Sequence, residues 1–199
     1  MSTRDERADE TRRELLRVAR ELFAERGYAV VGTEEIVARA GLTRGALYHH
    51  FQGKRDLFRA VHEQLEEELV AEIAAGLAGV TDPDVLLEAG IRAFLDSCTD
   101  RRRVRVTLID APTVLGWSEW REIDERHGLG LVTAALGGAM DAGSIARQDV
   151  RPLAHLVIGA LGEAALLIAN AEDPVAMRGQ VEPALLALVG GLRVRPPNR

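Results

Sequence analysis

Apolar residues along this chain recur every three or four positions, and no run alternates in twos for long enough to make a strand. Helices are therefore expected throughout. Leu15, Leu16, Ala19, Leu22 and Phe23 form one stripe over residues 11–26, and Gly27 stands where a helix-ending glycine belongs. Residues 1–10 are polar without periodicity, which predicts a fraying arm. Thr33 followed by Glu34 and Glu35 reads as a cap with acids in the first turn, opening a brief helix that turns Ile36, Val37 and Ala40 inward. Gly41 turns the chain, Thr43 caps again, and a third short helix to about His49 presents Ala46 and Leu47 to the interior.

From Lys54 a longer helix carries Leu57, Phe58, Val61, Leu65, Leu69 and Ile73 on one face and is expected to join two domains, residues 1–53 and 54–199. Further helices are predicted near residues 84–98 and 101–110, with a break at Pro112, and near 117–140, with an interruption at Gly128 and Gly130. Two strongly apolar helices, near 151–170 and 174–193, close the chain, each with a proline at its start, and the tail from Arg193 is expected to be disordered. The fold class expected is all-α: an N-terminal three-helix helix-turn-helix domain plus a C-terminal helical bundle.

Composition agrees, since aromatics make up 4% of the residues and Ala, Leu, Arg and Glu dominate. Cys98 is the single cysteine, so no intramolecular disulfide is expected. With no charged-apolar-small leader and no apolar run of about 18 residues, the chain reads as a soluble cytoplasmic protein without a membrane partner. The net charge of −6 speaks against nucleic acid until it is divided along the chain. Residues 1–60 carry 12 Arg/Lys against 10 Asp/Glu, and within 41–60 Arg44, Lys54, Arg55 and Arg59 face only Asp56. A small basic footprint on an acidic body suits a DNA reader.

The stretch Gly41-Leu-Thr-Arg-Gly-Ala-Leu-Tyr-His-His-Phe-Gln-Gly-Lys54 supplies a helix cap, a small residue for close approach, a phenol, two imidazoles and a lysine. Over residues 33–57 the sequence resembles the tetracycline-repressor (TetR) family, with its Ala-Gly turn, Thr-x-Gly-x-Leu-Tyr-x-His-Phe run and following lysine. The resemblance implies that Thr33, Tyr48, His50 and Lys54 contact phosphates and that Arg44, Gly45 and His49 lie at base edges; Thr43, the cap of the recognition helix, is a further DNA-binding candidate. Arg44 has the chemistry to donate bidentately to guanine, and Lys54 to act as a point charge on phosphate. Alternatives stand beside these roles: Tyr48 as a packing residue, and His49-His50 as a solvated pair. Metal binding by that pair is disfavoured, because adjacent helical residues diverge by about 100°.

No G-x-S-x-G, Walker loop or H-E-x-x-H occurs, and no cofactor or enzymatic activity is expected. The resemblance implies that the C-terminal half holds a small apolar or amphipathic ligand and dimerises through the last two helices. Candidate pocket residues are Phe94, Leu108, Trp117, Trp120 and His127, with Asp110 and Glu119 as polar anchors; core packing is the alternative for the apolar ones. Leu156, Gly159, Gly162 and Ala165, with Leu185, Leu188 and Val189, are candidates for a homodimer interface, a monomeric bundle core being the alternative. The function these features point to is a repressor released from a pseudo-palindromic operator by a small molecule. The rivals are a DNA-binding dimer that needs no ligand or needs a co-repressor, a nucleoid-type binder, and an enzyme built on His127 or the carboxylates.

Overall fold

A computed structural model describes residues 3–194, and all of its regular elements are helical. In chain order they are α1 (Thr3–Arg26), α2 (Thr33–Arg39), α3 (Arg44–His50), α4 (Lys54–Gly76) and α5 (Pro83–Ser97). A composite segment follows: α6 (Arg101–Val104), a π-helical stretch (Arg105–Asp110) and α7 (Ala111–Leu115). The chain ends with α8 (Trp117–Asp141), α9 (Val150–Ala169) and α10 (Pro174–Gly190). Two compact units result, one made of the residues up to Leu65 with Arg101–Trp120, the other of Glu66–Asp100 with the residues from Arg121 onward. The N-terminal unit thus extends past residues 1–53, taking in α4 as far as Leu65 and the composite segment.

Within that unit α1 starts earlier than its apolar stripe. Asp5 and Glu6 in the first turn favour the positive end of the helix dipole, and Thr11 Oγ1 and Arg13 Nε donate to the Arg7 and Asp9 carbonyls one turn back, at 2.9 and 3.3 Å. The arm expected to fray is therefore helical from Thr3. Leu15, Val18, Ala19, Leu22 and Phe23 are buried together with Ile36, Leu47, Leu57 and Phe58. Phe23 and Tyr28 both meet Phe58 edge to face, with ring centroids 5.3 and 5.0 Å apart. Gly27 ends α1 with φ of +84°, a conformation that suits glycine. The next amide, Tyr28 N, donates to Asp110 Oδ2 at 2.8 Å, fastening this turn to the composite segment.

Pro112 does not break that segment. A proline lacks an N–H and its ring crowds the carbonyl four residues back, and the chain answers by widening the preceding turn. Ala111 N donates to the carbonyl of Val106, five residues earlier, and the Thr107 carbonyl, whose five-residue partner would be Pro112, accepts from Trp120 Nε1 at 3.0 Å. The interruption falls instead at Gly116, with φ of +82°.

In the second unit α5 packs against α9 and α10, and those two pack along each other. Ile91, Leu95, Leu136, Ala154, Val157, Ala165, Ile168, Leu185 and Val189 are buried there. Aspartates cap both closing helices: Asp149 accepts from Arg151 N at 3.1 Å, and Asp173 from Val175 N and Ala176 N at 3.0 Å. Ion pairs connect Arg193, Glu88, Arg92, Glu182, Arg178 and Asp96 into one chain. Arg193 and Val194, assigned to a disordered tail by sequence, are held by a bridge to Ile145 and by Val194 N donating to the Ser144 carbonyl at 2.9 Å; the remainder of that tail lies outside the described residues. α8 runs unbroken through Gly128 and Gly130, as neighbouring helical turns carry the ladder past two weak formers. Among the described residues one helix, α9, is long and apolar enough to cross a membrane by length and composition, contrary to expectation, and seven of its residues are buried in this fold.

Candidate nucleic-acid interface

The surface that carries the chemistry is built on α2, a four-residue turn and α3. Leu47 is the buried residue of α3, and that single anchor sets the roll of the helix. Thr43, Arg44, Gly45, Tyr48 and His49 then all face outward, with His50 half-buried beside them. Gly41, at φ of +66°, makes the turn. Leu42 N donates to the Val37 carbonyl at 2.9 Å, closing α2. Thr43 Oγ1 accepts from Ala46 N at 3.2 Å, so it caps α3 as its position suggested. At α2 the cap is one residue earlier than expected: Gly32 holds the extended cap backbone without a side-chain hydrogen bond, and Thr33 is the first helical residue. A Cβ on Gly45 would meet only Thr43 Oγ1, at 3.8 Å, so the backbone there has no need of glycine, and the missing side chain leaves a flat spot on the outward face.

The electrostatics of this face centre on Arg44. Its guanidinium lies over the Tyr48 ring, 5.5 Å from the centroid, and Nη1 is 3.6 Å from Glu34 Oε1. Hydrogen bonding to Tyr48, then the charges of Tyr48 and Glu34, raise the Arg44 pKa further above neutrality. Lys54 stands 4.1 Å over the Tyr28 ring, and partial burial lowers its pKa. The His49 and His50 rings meet edge to face at 5.0 Å, and burial, then His49 and Arg12, push the His50 pKa below the usual histidine value. Two cations, a phenol, two imidazoles and a bare glycine on one short helix and the first residue of the helix that follows it suit the edge of a base pair and the phosphates beside it.

Comparison with known proteins agrees from both ends of the chain. Residues 15–61 match the model of bacterial regulatory proteins of the tetR family, and residues 84–192 match the model of the tetracyclin repressor-like C-terminal domain. The chain belongs to the TetR family of transcriptional regulators. A TetR-family regulator of Pectobacterium atrosepticum, known from its crystal structure, is 37% identical and superposes with a TM-score of 0.84 over 98% of this chain and all of that one. The Tn10 TetC protein of Escherichia coli is 28% identical over 85% of this chain and 86% of its own length. The AcrR regulator of Shigella flexneri is 41% identical over 48% of this chain and 46% of its own. Members of the family are DNA-binding regulators, generally repressors, and act as dimers.

The ligand and dimer candidates of this TetR-family regulator separate on inspection. Asp110 and Glu119 lie in the N-terminal unit and are spent on structure: Asp110 accepts from Tyr28 N, and Glu119 accepts from Arg55 Nη2 at 2.6 Å and pairs with Arg59 Nε at 2.9 Å. In the same unit Trp120 donates to the Thr107 carbonyl, the Trp117 ring meets it at a tilt with centroids 4.9 Å apart while remaining largely exposed, and Leu108 is half-buried. Phe94 and His127 belong to the second unit. Phe94 is half-buried, and His127 Nε2 is buried with no hydrogen-bond partner among the described residues. Sequence reading passed over Asp124, one turn before His127, whose carboxyl pKa is raised, first by burial and then by Glu125, against the pull of Arg121. The three-residue spacing to His127 was the available signal. Of the dimer candidates, Leu156, Gly159 and Leu188 are exposed and Gly162 is half-buried, whereas Ala165, Leu185 and Val189 are buried in the subunit's own core.

Proposed function

We propose that this regulator represses transcription by holding a pseudo-palindromic operator as a homodimer, and releases it when a small apolar or amphipathic molecule enters the C-terminal bundle. The outward set Thr43, Arg44, Gly45, Tyr48 and His49, rolled into place by buried Leu47, carries the DNA part of this reading. Arg44, Gly45 and His49 read base edges, while Thr33, Tyr48, His50 and Lys54 take phosphates. Two such helices enter successive major grooves about 34 Å apart. The exposed apolar side chains Leu156, Leu167 and Leu188, with Gly159 among them, form the face that a second copy covers.

The ligand part is supported by His127. A buried imidazole nitrogen without a partner costs about 1–3 kcal/mol, and a ligand group bonded to it would recover that energy. Asp124 would offer a second polar anchor, and half-buried Phe94 part of the apolar wall. Release then follows from differential affinity of the ligand for one packing of the bundle. The test is a thermal-shift screen of hydroxylated and amphipathic aromatics, followed by fluorescence anisotropy on an operator recovered by selection from random DNA. A compound that stabilises the wild type, weakens its operator binding at least tenfold and loses both effects in His127→Phe supports the reading. Binding of compounds without any change in DNA affinity would leave a ligand-independent dimer, and tightening would make the ligand a co-repressor.

A further inference from the structure

Glu34 is out of place on a surface meant for a polyanion. Its side chain is 84% exposed, it lies in the first turn of α2 next to the recognition helix, and its ion-pair partner among the described residues is Arg44, at 3.6 Å. Other acids close by are occupied: Glu35 pairs with Arg26, and Asp56 accepts from Gln52 N at 3.0 Å. A carboxylate left facing phosphate without a cation to neutralise it repels the duplex, so a surface built for electrostatic affinity alone has no use for it. We propose that Glu34 is a specificity-determining residue, which positions the Arg44 guanidinium for a guanine edge and penalises Arg44 for turning to phosphate. This rests on the DNA-binding reading above.

The geometry supplies the means. Guanidinium carries five donors in a planar fork, so Arg44 has the capacity to give two to guanine O6 and N7 and another to Glu34 at the same time. The Tyr48 ring beneath it restrains the plane from the other side, leaving Arg44 64% exposed yet held at two points. On an operator carrying guanine at the right step, the carboxylate stays neutralised by the arginine it orients. On any other sequence Arg44 gains most by swinging to a phosphate, which strands the Glu34 charge against the backbone. Glu34 thus leaves specific binding nearly untouched and weakens non-specific binding.

The probes are the duplex recovered by wild-type selection from a random 30-base-pair library and a shuffled duplex of the same composition. Fluorescence anisotropy is followed over a range of salt for the wild type, Glu34→Gln and Glu34→Asp. Removing a unit charge about 6 Å from phosphate is expected to raise affinity for the shuffled duplex about threefold at low salt. Affinity for the selected duplex is expected to change less than twofold, so that the specificity ratio falls. The salt slope on shuffled DNA is expected to steepen by up to about 0.9, while Glu34→Asp, which keeps the charge, stays near wild type. Equal tightening on both duplexes, or no change on either, overturns the proposal while leaving sequence-specific DNA binding in place. A wild type that enriches no sequence overturns both readings. Helical circular dichroism and melting temperature check that the exposed substitutions leave the fold intact.

Discussion

Asp110→Ala separates a structural from a ligand-holding carboxylate. Asp110 Oδ2 accepts from Tyr28 N at 2.8 Å, immediately after the left-handed Gly27 that ends α1. Alanine would leave that part-buried N–H without an acceptor, and an unmet donor of this kind costs about 1–3 kcal/mol. For a protein of this size each kcal/mol lowers Tm by about 2–4 °C, so a fall of about 4–8 °C is expected for a loss of about 2 kcal/mol. Asp110→Asn keeps an oxygen at the site and should lose less than half as much. Trp117 and Trp120, the two tryptophans of the chain, both lie in the N-terminal unit, so intrinsic fluorescence during thermal and urea unfolding reports this unit. Operator affinity should fall with stability, because the Tyr28 ring that Asp110 steadies carries Lys54. A fluorescence midpoint of Asp110→Ala within 1 °C of wild type would refute this reasoning and return Asp110 to the list of ligand anchors.

Asp124→Asn should raise Tm at pH 7. The Asp124 carboxyl has a folded pKa above its unfolded value near 3.8, so the native state favours its protonated form; that preference is fully expressed below pH 3.8 and lost as pH rises through the folded value. The advantage of asparagine should therefore vanish in melts near pH 3.5. Glu182 has the opposite sign, its pKa lowered first by Arg92 and then by Arg178, so its contribution is present above pH 4.5 and is lost as pH falls through the depressed value. Glu182→Gln should lower stability at pH 7, and the difference in urea midpoint from wild type should shrink towards pH 3. Leu156→Arg combined with Leu188→Glu should convert the dimer to a monomer by light scattering and weaken operator binding at least a hundredfold, with little loss of helicity; a dimer that survives both changes would place the interface elsewhere.

The helix-turn-helix was legible in the sequence because everything that makes it is local. Thr43 as cap, Gly41 as turn and Leu47 as anchor act within a few residues of one another, and helical geometry alone then puts Arg44, Gly45, Tyr48 and His49 on the opposite face. The all-helical class followed equally from period and composition. What tertiary structure decided is where distant residues meet. Asp110 and Glu119 looked like free anchors because their partners, Tyr28 and Arg55, are 82 and 64 residues away. Pro112 looked like a break because the donor that rescues the Thr107 carbonyl is an indole 13 residues on, around a turn at Gly116. A linear pattern specifies which face of a helix is apolar, but the partner of a polar atom is set by the packing of whole elements, whose free energy is spread over many side chains and written in none of them.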